Sequence, residues 1–192
     1  MQDEEREILK IFEETGAILK GHFQLSSGLH SDTYIQCAKV LQYPQYCQLL
    51  SQKLVRKLNH PDDIDVVVSP AMGGIIIGFG VAAEIGCRAV FAERQEGIMT
   101  LRRGFQITPG EKALVVEDVI TTGGSVKEVL ELCRERGAEI KGVACLIDRS
   151  TEDTGLKTTF LLKMKVEAYP PPNCPLCAAG IQIDKPGSRG LY

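Results

Sequence analysis

The sequence predicts an α/β fold: a mainly parallel sheet flanked by helices, with a small hood at its amino-terminal end. Apolar runs of strand length alternate with helical stretches between Asp65 and Asp148, the order that produces parallel strands covered on both faces. At 192 residues the chain holds one such domain with a real core and is short for two. The uncharged stretch Val66 to Ala83 reaches the length of a membrane helix, but Pro70, Gly73, Gly74, Gly78 and Gly80 break it into strand, turn and helix.

Taken in order, residues Glu4 to Glu14 place Ile8, Leu9, Ile11 and Phe12 on one helical face with Gly16 as the stop, a helix expected to cover the hood. From Ala17 to Cys37 apolar positions alternate irregularly with Gly and Ser, which suggests short strands around a loop at Ser26 to Ser31. A second amphipathic helix is expected from about Pro44 to Leu58, with Leu50, Leu54 and Leu58 at helical spacing. Asp65 to Ser69, Arg88 to Ala92, Ala113 to Asp118 and Ile140 to Asp148 read as core strands. Gly74 to Ile85 and Val126 to Arg136 read as the helices between them. Phe160 to Val166 adds an edge strand. The tail beyond Tyr169, with Pro170-Pro171-Pro172 and Pro186-Gly187-Ser188, reads as an ordered extension with little regular structure. The single domain thus divides into hood segments at about 1–40, a core at about 41–168 and an extension at about 169–192.

A formal net charge of -3 and a pI near 5.7 speak against a chain held on nucleic acid by overall charge. Neither nucleic acid nor membrane is expected as a partner. Seven cysteines, an odd set scattered mostly through apolar segments behind no signal-like start, fit a reducing cytoplasm.

The chemistry concentrates where Ala113-Leu114-Val115-Val116 runs into Glu117 and Asp118 and then opens through Val119-Ile120-Thr121-Thr122-Gly123-Gly124-Ser125. Adjacent acids at a strand end repel each other unless a diol, a cation or a donor engages them. The following hydroxyl and glycine residues suit a loop whose backbone N–H groups converge on a phosphate at the next helix start. Carboxylates for a ribose diol and a loop for its 5'-phosphate make a sugar-phosphate holder, whereas an ordinary strand-to-helix turn shares the outline but not the paired acids. Ser69-Pro70-Ala71-Met72-Gly73-Gly74 offers a second backbone loop, or simply a glycine pair for close helix–sheet packing. Glu93 to Phe105 carries Arg94, Arg102 and Arg103, whose rigid forks suit a polyanion, or which line a solvated hairpin edge. His22, His30 and His60 form no metal-ligand pattern and read as loop or surface residues. Cys174-Pro175-Leu176-Cys177 is half of a four-ligand zinc site, and without a second pair it reads as a tight turn or latent disulfide. No metal-binding residue is assigned.

The Glu117 to Ser125 run resembles the phosphoribosyl pyrophosphate (PRPP) signature of the type I phosphoribosyltransferases. Phe23-Gln24-Leu25-Ser26-Ser27-Gly28, with Ser31 and Tyr34, and Leu146-Ile147-Asp148-Arg149 are similar to segments of the orotate-specific members, so the resemblance spans about Ile8 to Arg149. It implies a type I phosphoribosyltransferase-like fold and a glycosyltransferase that moves ribose 5-phosphate from PRPP to orotate, as a cytoplasmic homodimer in pyrimidine biosynthesis. Mg2+ would be bound mainly through PRPP and pyrophosphate. Glu117 and Asp118 become catalytic and diol-binding, and Val119 to Ser125 the phosphate segment. Met72 and Gly73 belong to the pyrophosphate loop, and Arg94 is the pyrophosphate-binding arginine shared across the dimer interface. Thr121, Arg149, Ser26 and Tyr34 surround the base, with Arg149 pairing with its carboxylate.

The chain departs from the family pattern in three places. It has no Lys from Asp65 through Cys87, neither Lys nor His between Glu93 and Gly110, and Ser26 where many members carry Lys. Arg102 and Arg103 are the candidates for the missing catalytic charge. A phosphoribosyltransferase for another base, or a PRPP-binding transcription regulator, are the alternatives.

Overall fold

The computed structural model describes residues 2–25 and 27–186; the expected hood contact of Ser26 and the tail from Gly187 onward lie outside them. The first helix, α1 (Gln2–Glu14), buries Ile8, Ile11 and Phe12. It ends as the sequence predicts: Gly16 takes a φ of 67°, and the Ala17 N–H donates to the Phe12 carbonyl at 2.8 Å. It packs against the last sheet strand as well as the hood, so it covers the edge of the core too.

The hood is an antiparallel pair, β1 (Ile18–Gln24) and β2 (His30–Ile35), forming its own two-stranded sheet with a bulge between Lys20 and Phe23. A one-turn helix, α2 (Ala38–Leu41), follows and was not foreseen. Then comes α3 (Pro44–Arg56), whose Leu50 and Leu54 are fully buried.

The main sheet has six strands in the order β5-β4-β3-β6-β7-β8. They are β3 (Val66–Pro70), β4 (Arg88–Gln95), β5 (Ile98–Leu101), β6 (Lys112–Ile120), β7 (Glu139–Asp148) and β8 (Thr158–Lys163), and only the β4–β5 pair is antiparallel. The alternation of a strand sorts its side chains onto two faces. Val67, Leu114 and Val116 meet Leu50, Leu54, Ile77 and Val81 under α3 and α4 (Gly73–Ile85). Val66, Val68, Val115 and Val143 meet Val126, Val129, Leu130 and Cys133 under α5 (Gly124–Glu135). Both faces are therefore closed, and a charge at Val67 or Val115 would have no solvated side to turn to. Gly78 lets α4 settle onto β3: a Cβ there would fall 1.9 Å from the Ser69 hydroxyl oxygen.

Two sequence readings are corrected here. The second core strand does not stop at Ala92 but runs to Gln95 and turns at Glu96 and Gly97, whose φ values of 51° and 85° make the tight turn of a hairpin into β5. Arg94 is thus a strand residue rather than a loop residue. Likewise His22 and His30 are not loop or surface residues: they lie on β1 and β2 and are 3% and 7% exposed. His60 is exposed, as read.

After β8 the tail makes a 3-10 turn at Pro171–Asn173 and one helical turn, α6 (Pro175–Ala178). It returns to the hood through bridges between His30 and Tyr169 and between Phe23 and Asp184. Cys174 and Cys177 are free thiols, not a disulfide. Among the described residues no helix is long and apolar enough to cross a membrane.

Candidate active site

From β3 the chain builds outward to β4 and β5, then crosses back to β6 and continues the other way to β7 and β8. The connections therefore part between β3 and β6, and a crevice forms beyond the carboxyl ends of those two strands. Glu117 and Asp118 lie near the end of β6, and the turn before α4 closes on them from β3. A Cβ on Gly73 would sit 2.7 Å from Asp118 Oδ1, and one on Gly74 would sit 2.9 Å from the Val116 carbonyl and 3.0 Å from Glu117 Oε1. The glycine pair permits close helix–sheet packing and brings the start of α4 onto the acids. Met72, just before it, is 83% exposed, and the Ala71–Met72 peptide is cis.

The two carboxylates accept backbone N–H bonds, Glu117 Oε1 from Asp118 at 3.1 Å and Asp118 Oδ1 from Val119 at 2.8 Å. Burial, reinforced by the neighbouring charge of Asp118, pushes the Glu117 carboxyl far up, and burial also raises Asp118. Near neutral pH the pair therefore tends to keep a proton until something engages it. A hard dication held largely by substrate oxygens fits this donor set of two carboxylates, because its charge would relieve the repulsion.

The strand carries Val119 and Ile120 further than expected, so the loop proper is Thr121 to Gly123 leading into α5. Thr121 and Thr122 are exposed, while Gly123 is buried with φ 75° and leaves no room for a side chain: a Cβ would meet Leu156 at 2.9 Å. No side chain caps α5, so the free N–H groups of its first turn face a concavity of about 70 Å³ lined by Glu117, Thr121, Thr122, Gly124 and Ser125. A larger groove of about 410 Å³ opens between α1 and β8. It lacks the convergent acids and N–H groups, and on chemistry the smaller cup is the candidate site.

Arg149 follows β7, its N–H bonded to the Ile120 carbonyl at 2.8 Å, and so it stands beside the acid strand. Its Nε is buried without a hydrogen-bond partner, and burial lowers its pKa. Asp148 does not neutralise it: that carboxylate is held down by Lys163 at 2.7 Å and by Ser150, against the effect of burial. Among the described residues Arg149 has no carboxylate partner within salt-bridge distance. Cys37, which belongs to no motif legible in the sequence, lies in the same neighbourhood. Its sulfur is 4.0 Å from the Asp118 carbonyl, and burial pushes its thiol well up, with Asp118 and Glu117 reinforcing and Arg149 opposing.

The other arginines are occupied. Arg94 bonds Glu128 at 2.7 Å and the Gly97 carbonyl at 2.8 Å. Arg103, at a positive φ of 58°, stacks over Phe91, and its Nε lies 3.2 Å from Glu93, with Arg102 at 3.7 Å. In this arrangement they do line an exposed hairpin edge. Glu93 Oε1 has no well-aligned hydrogen bond, whereas Glu93 Oε2 accepts one from Arg103 Nη2 at 3.3 Å. Tyr34 is half-buried and packs on Phe23 in the hood, ring centroids 5.7 Å apart.

Comparison with known proteins matches residues 39–158 to the phosphoribosyl transferase domain. The chain is 53% identical over 190 residues to an orotate phosphoribosyltransferase of Caldanaerobacter subterraneus subsp. tengcongensis, covering 98% of this chain and 100% of that one. It is 54% identical over 187 residues to an orotate phosphoribosyltransferase of Pelotomaculum thermopropionicum, covering 96% and 98%. The crystal structure of orotate phosphoribosyltransferase from Aeropyrum pernix superposes with a TM-score of 0.72 at 22% identity, over 82% of this chain and 94% of that one. That likeness speaks for the fold alone.

Proposed function

This chain belongs to the orotate phosphoribosyltransferase family, and from that premise we infer that it transfers ribose 5-phosphate from PRPP to orotate. A bond forms between a base nitrogen and C1 of the ribose, the C1–O bond to pyrophosphate breaks, and orotidine 5'-monophosphate is made for pyrimidine biosynthesis. The centre passes through an oxocarbenium-like state, so the protein's contribution is position and charge rather than a covalent nucleophile.

Glu117 and Asp118 engage the ribose hydroxyls and, once deprotonated, place negative potential beside the developing cation. The N–H groups at Thr122 to Ser125 hold the 5'-phosphate, and the backbone at Met72 and Gly73 takes the pyrophosphate side. Glu117 and Asp118 would help hold an Mg2+ ion carried by PRPP, and the ion would supply charge neutralisation to the departing pyrophosphate. Arg102 and Arg103 exchange Glu93 for pyrophosphate oxygens as the hairpin closes and water is excluded. That assignment gives this chain a positive charge where it has no loop lysine.

The observation that supports orotate as the base is Arg149. A guanidinium half-buried without a carboxylate, at the mouth of a ribose site, is costly unless a ligand supplies the anion. Thr121 and the hood at Tyr34 complete the base pocket in this reading. We place the chain in a homodimer, with Arg94 or its hairpin shared across the interface. Met72, Ile76 and Phe79 are exposed along one side of the α4 start and supply an apolar face for it. The unpaired cysteines support a reducing cytoplasm.

The test mixes the protein with PRPP and Mg2+ and follows base consumption with orotate, adenine, hypoxanthine and uracil in parallel. Orotate alone is expected to be consumed. Turnover of another base would reassign the acceptor, and PRPP binding without turnover would favour a regulator.

A further inference from the structure

Four side chains outside the catalytic crevice converge between the hood and the tail: His22 on β1, His30 on β2, and Cys174 and Cys177 at the start of α6. Their donor atoms all lie within 4.8 Å of one another. His22 Nε2 is 3.1 Å from His30 Nδ1, 3.5 Å from Cys174 Sγ and 3.7 Å from Cys177 Sγ, and Cys177 Sγ is 3.2 Å from His30 Nδ1. A tetrahedron built on metal bonds of about 2.1 Å to nitrogen and about 2.3 Å to sulfur has edges of roughly 3.3–3.8 Å. Four of the six separations, 3.1–3.7 Å, lie close to those edges, and the other two stay within 4.8 Å.

The hydrogen bonding around the cluster points the same way. His22 Nδ1 lies 2.7 Å from the Ile181 carbonyl oxygen. A carbonyl only accepts, so Nδ1 carries the proton and Nε2 turns a lone pair into the cluster. This is the second bond by which metal-binding histidines are commonly oriented. His22, His30 and Cys174 are 3%, 7% and 3% exposed while Cys177 is at the surface, so three of the four donors are shielded from water. Two imidazoles supply the second pair that Cys174 and Cys177 lacked in the sequence.

We propose that His22, His30, Cys174 and Cys177 bind one zinc ion per chain in a closed structural site that latches the C-terminal extension onto the hood. Two thiols lose their protons on binding, so two thiolates balance the dication and the centre is neutral. Four protein donors leave no position open to substrate, which makes the site structural and not catalytic.

The surroundings show what such a latch would hold. On one side His30 and Tyr169 exchange backbone bonds of 2.8 and 2.7 Å. On the other the Asp184 N–H donates to the His22 carbonyl at 2.7 Å and the Gln24 N–H to the Asp184 carbonyl at 2.8 Å. The hood is a two-stranded sheet, an element marginal by itself in water. Metal binding would add its free energy to this weakly supported part of the fold.

The test uses the full chain, purified under reducing conditions without chelator, and does not depend on the reaction assigned above. Elemental analysis is expected to find one zinc per chain, and cobalt replacement to give the visible absorption of a tetrahedral site with a thiolate-to-metal band. Cys177→Ser, at an exposed position, should keep a cooperative melt but bind cobalt at least about tenfold more weakly with a diminished thiolate band. Removing zinc from the wild type should open the segment from Tyr169 to Asp184 to protease before the core is cut. A cooperatively folded wild-type chain with no zinc and no tetrahedral cobalt spectrum would overturn the proposal. So would a Cys174–Cys177 disulfide in the purified protein, or a Cys177→Ser variant with undiminished cobalt binding and spectrum.

Discussion

Glu117 to Ser125 are consecutive residues on one strand-to-helix junction, whereas His22 and Cys177, whose donor atoms nearly touch, are 155 positions apart. The first cluster is assembled by local geometry. A buried strand ends, its acids project at the edge of the sheet, and the next helix begins with its N–H groups free. The second exists only because the tail passes back across the hood hairpin. The two clusters should therefore fail in different ways. Damage at the crevice should cost turnover and leave the fold intact, while damage at the hood–tail cluster should loosen one part of the fold.

The largest effect that would sharpen this contrast is expected for Asp118→Asn: a fall in turnover of about a hundredfold or more with no loss of thermal stability. Normal turnover would remove the acid pair from the chemistry and dissolve the comparison. Next, Arg149→Met should raise the KM for orotate by roughly tenfold to a hundredfold, the size expected for a lost charge-assisted bond, while PRPP binding measured by calorimetry is retained. Equal losses for both substrates would mean that Arg149 supports the crevice rather than reading the base.

A smaller effect, about tenfold on PRPP affinity, is expected for Gly123→Ala, since the new side chain must adopt a φ of 75° and displace Leu156. Glu117→Gln should act in opposite directions on the two properties. The folded state holds the Glu117 proton to higher pH than the unfolded chain does, so stability falls as pH rises from the ordinary carboxylate range toward that raised value. Removing the ionisable group should therefore raise the melting temperature at pH 8 by about 2–4 °C per kcal/mol recovered, with little change at pH 4 and a loss of turnover throughout. A small loss of stability, under about 1 kcal/mol, is expected for Arg94→Ala, which removes an exposed pair with Glu128. Mixing that variant with Asp118→Asn under exchange should restore some activity if Arg94 serves its partner's site, and none if it serves its own.

Particular residues show why the sequence was readable in one place and opaque in another. Strand β6, its acids and the loop after it could be read because apolar run, paired charge and small-residue turn follow in order along the chain. Gly16 as a stop and Leu50 and Leu54 as a buried stripe were readable for the same reason: helix periodicity and capping are short-range effects. The β4–β5 turn was missed because Glu96 and Gly97 lack the commonest hairpin dipeptides, although Gly97 permits the required positive φ. His22 and His30 were set aside because their spacing has no metal pattern, and pairing across a bulged hairpin is not written in spacing.

The α/β layering, the acid pair at the end of β6 and the small-residue turn before α5 were legible in the sequence alone, since each follows from side-chain chemistry acting over a few residues. Tertiary structure alone decided that Gly73 and Gly74 close on those acids, that Asp148 turns to Lys163 and leaves Arg149 free, and that two histidines meet two cysteines. Those outcomes depend on strand order and on where the tail returns, which are set by the packing of the whole chain.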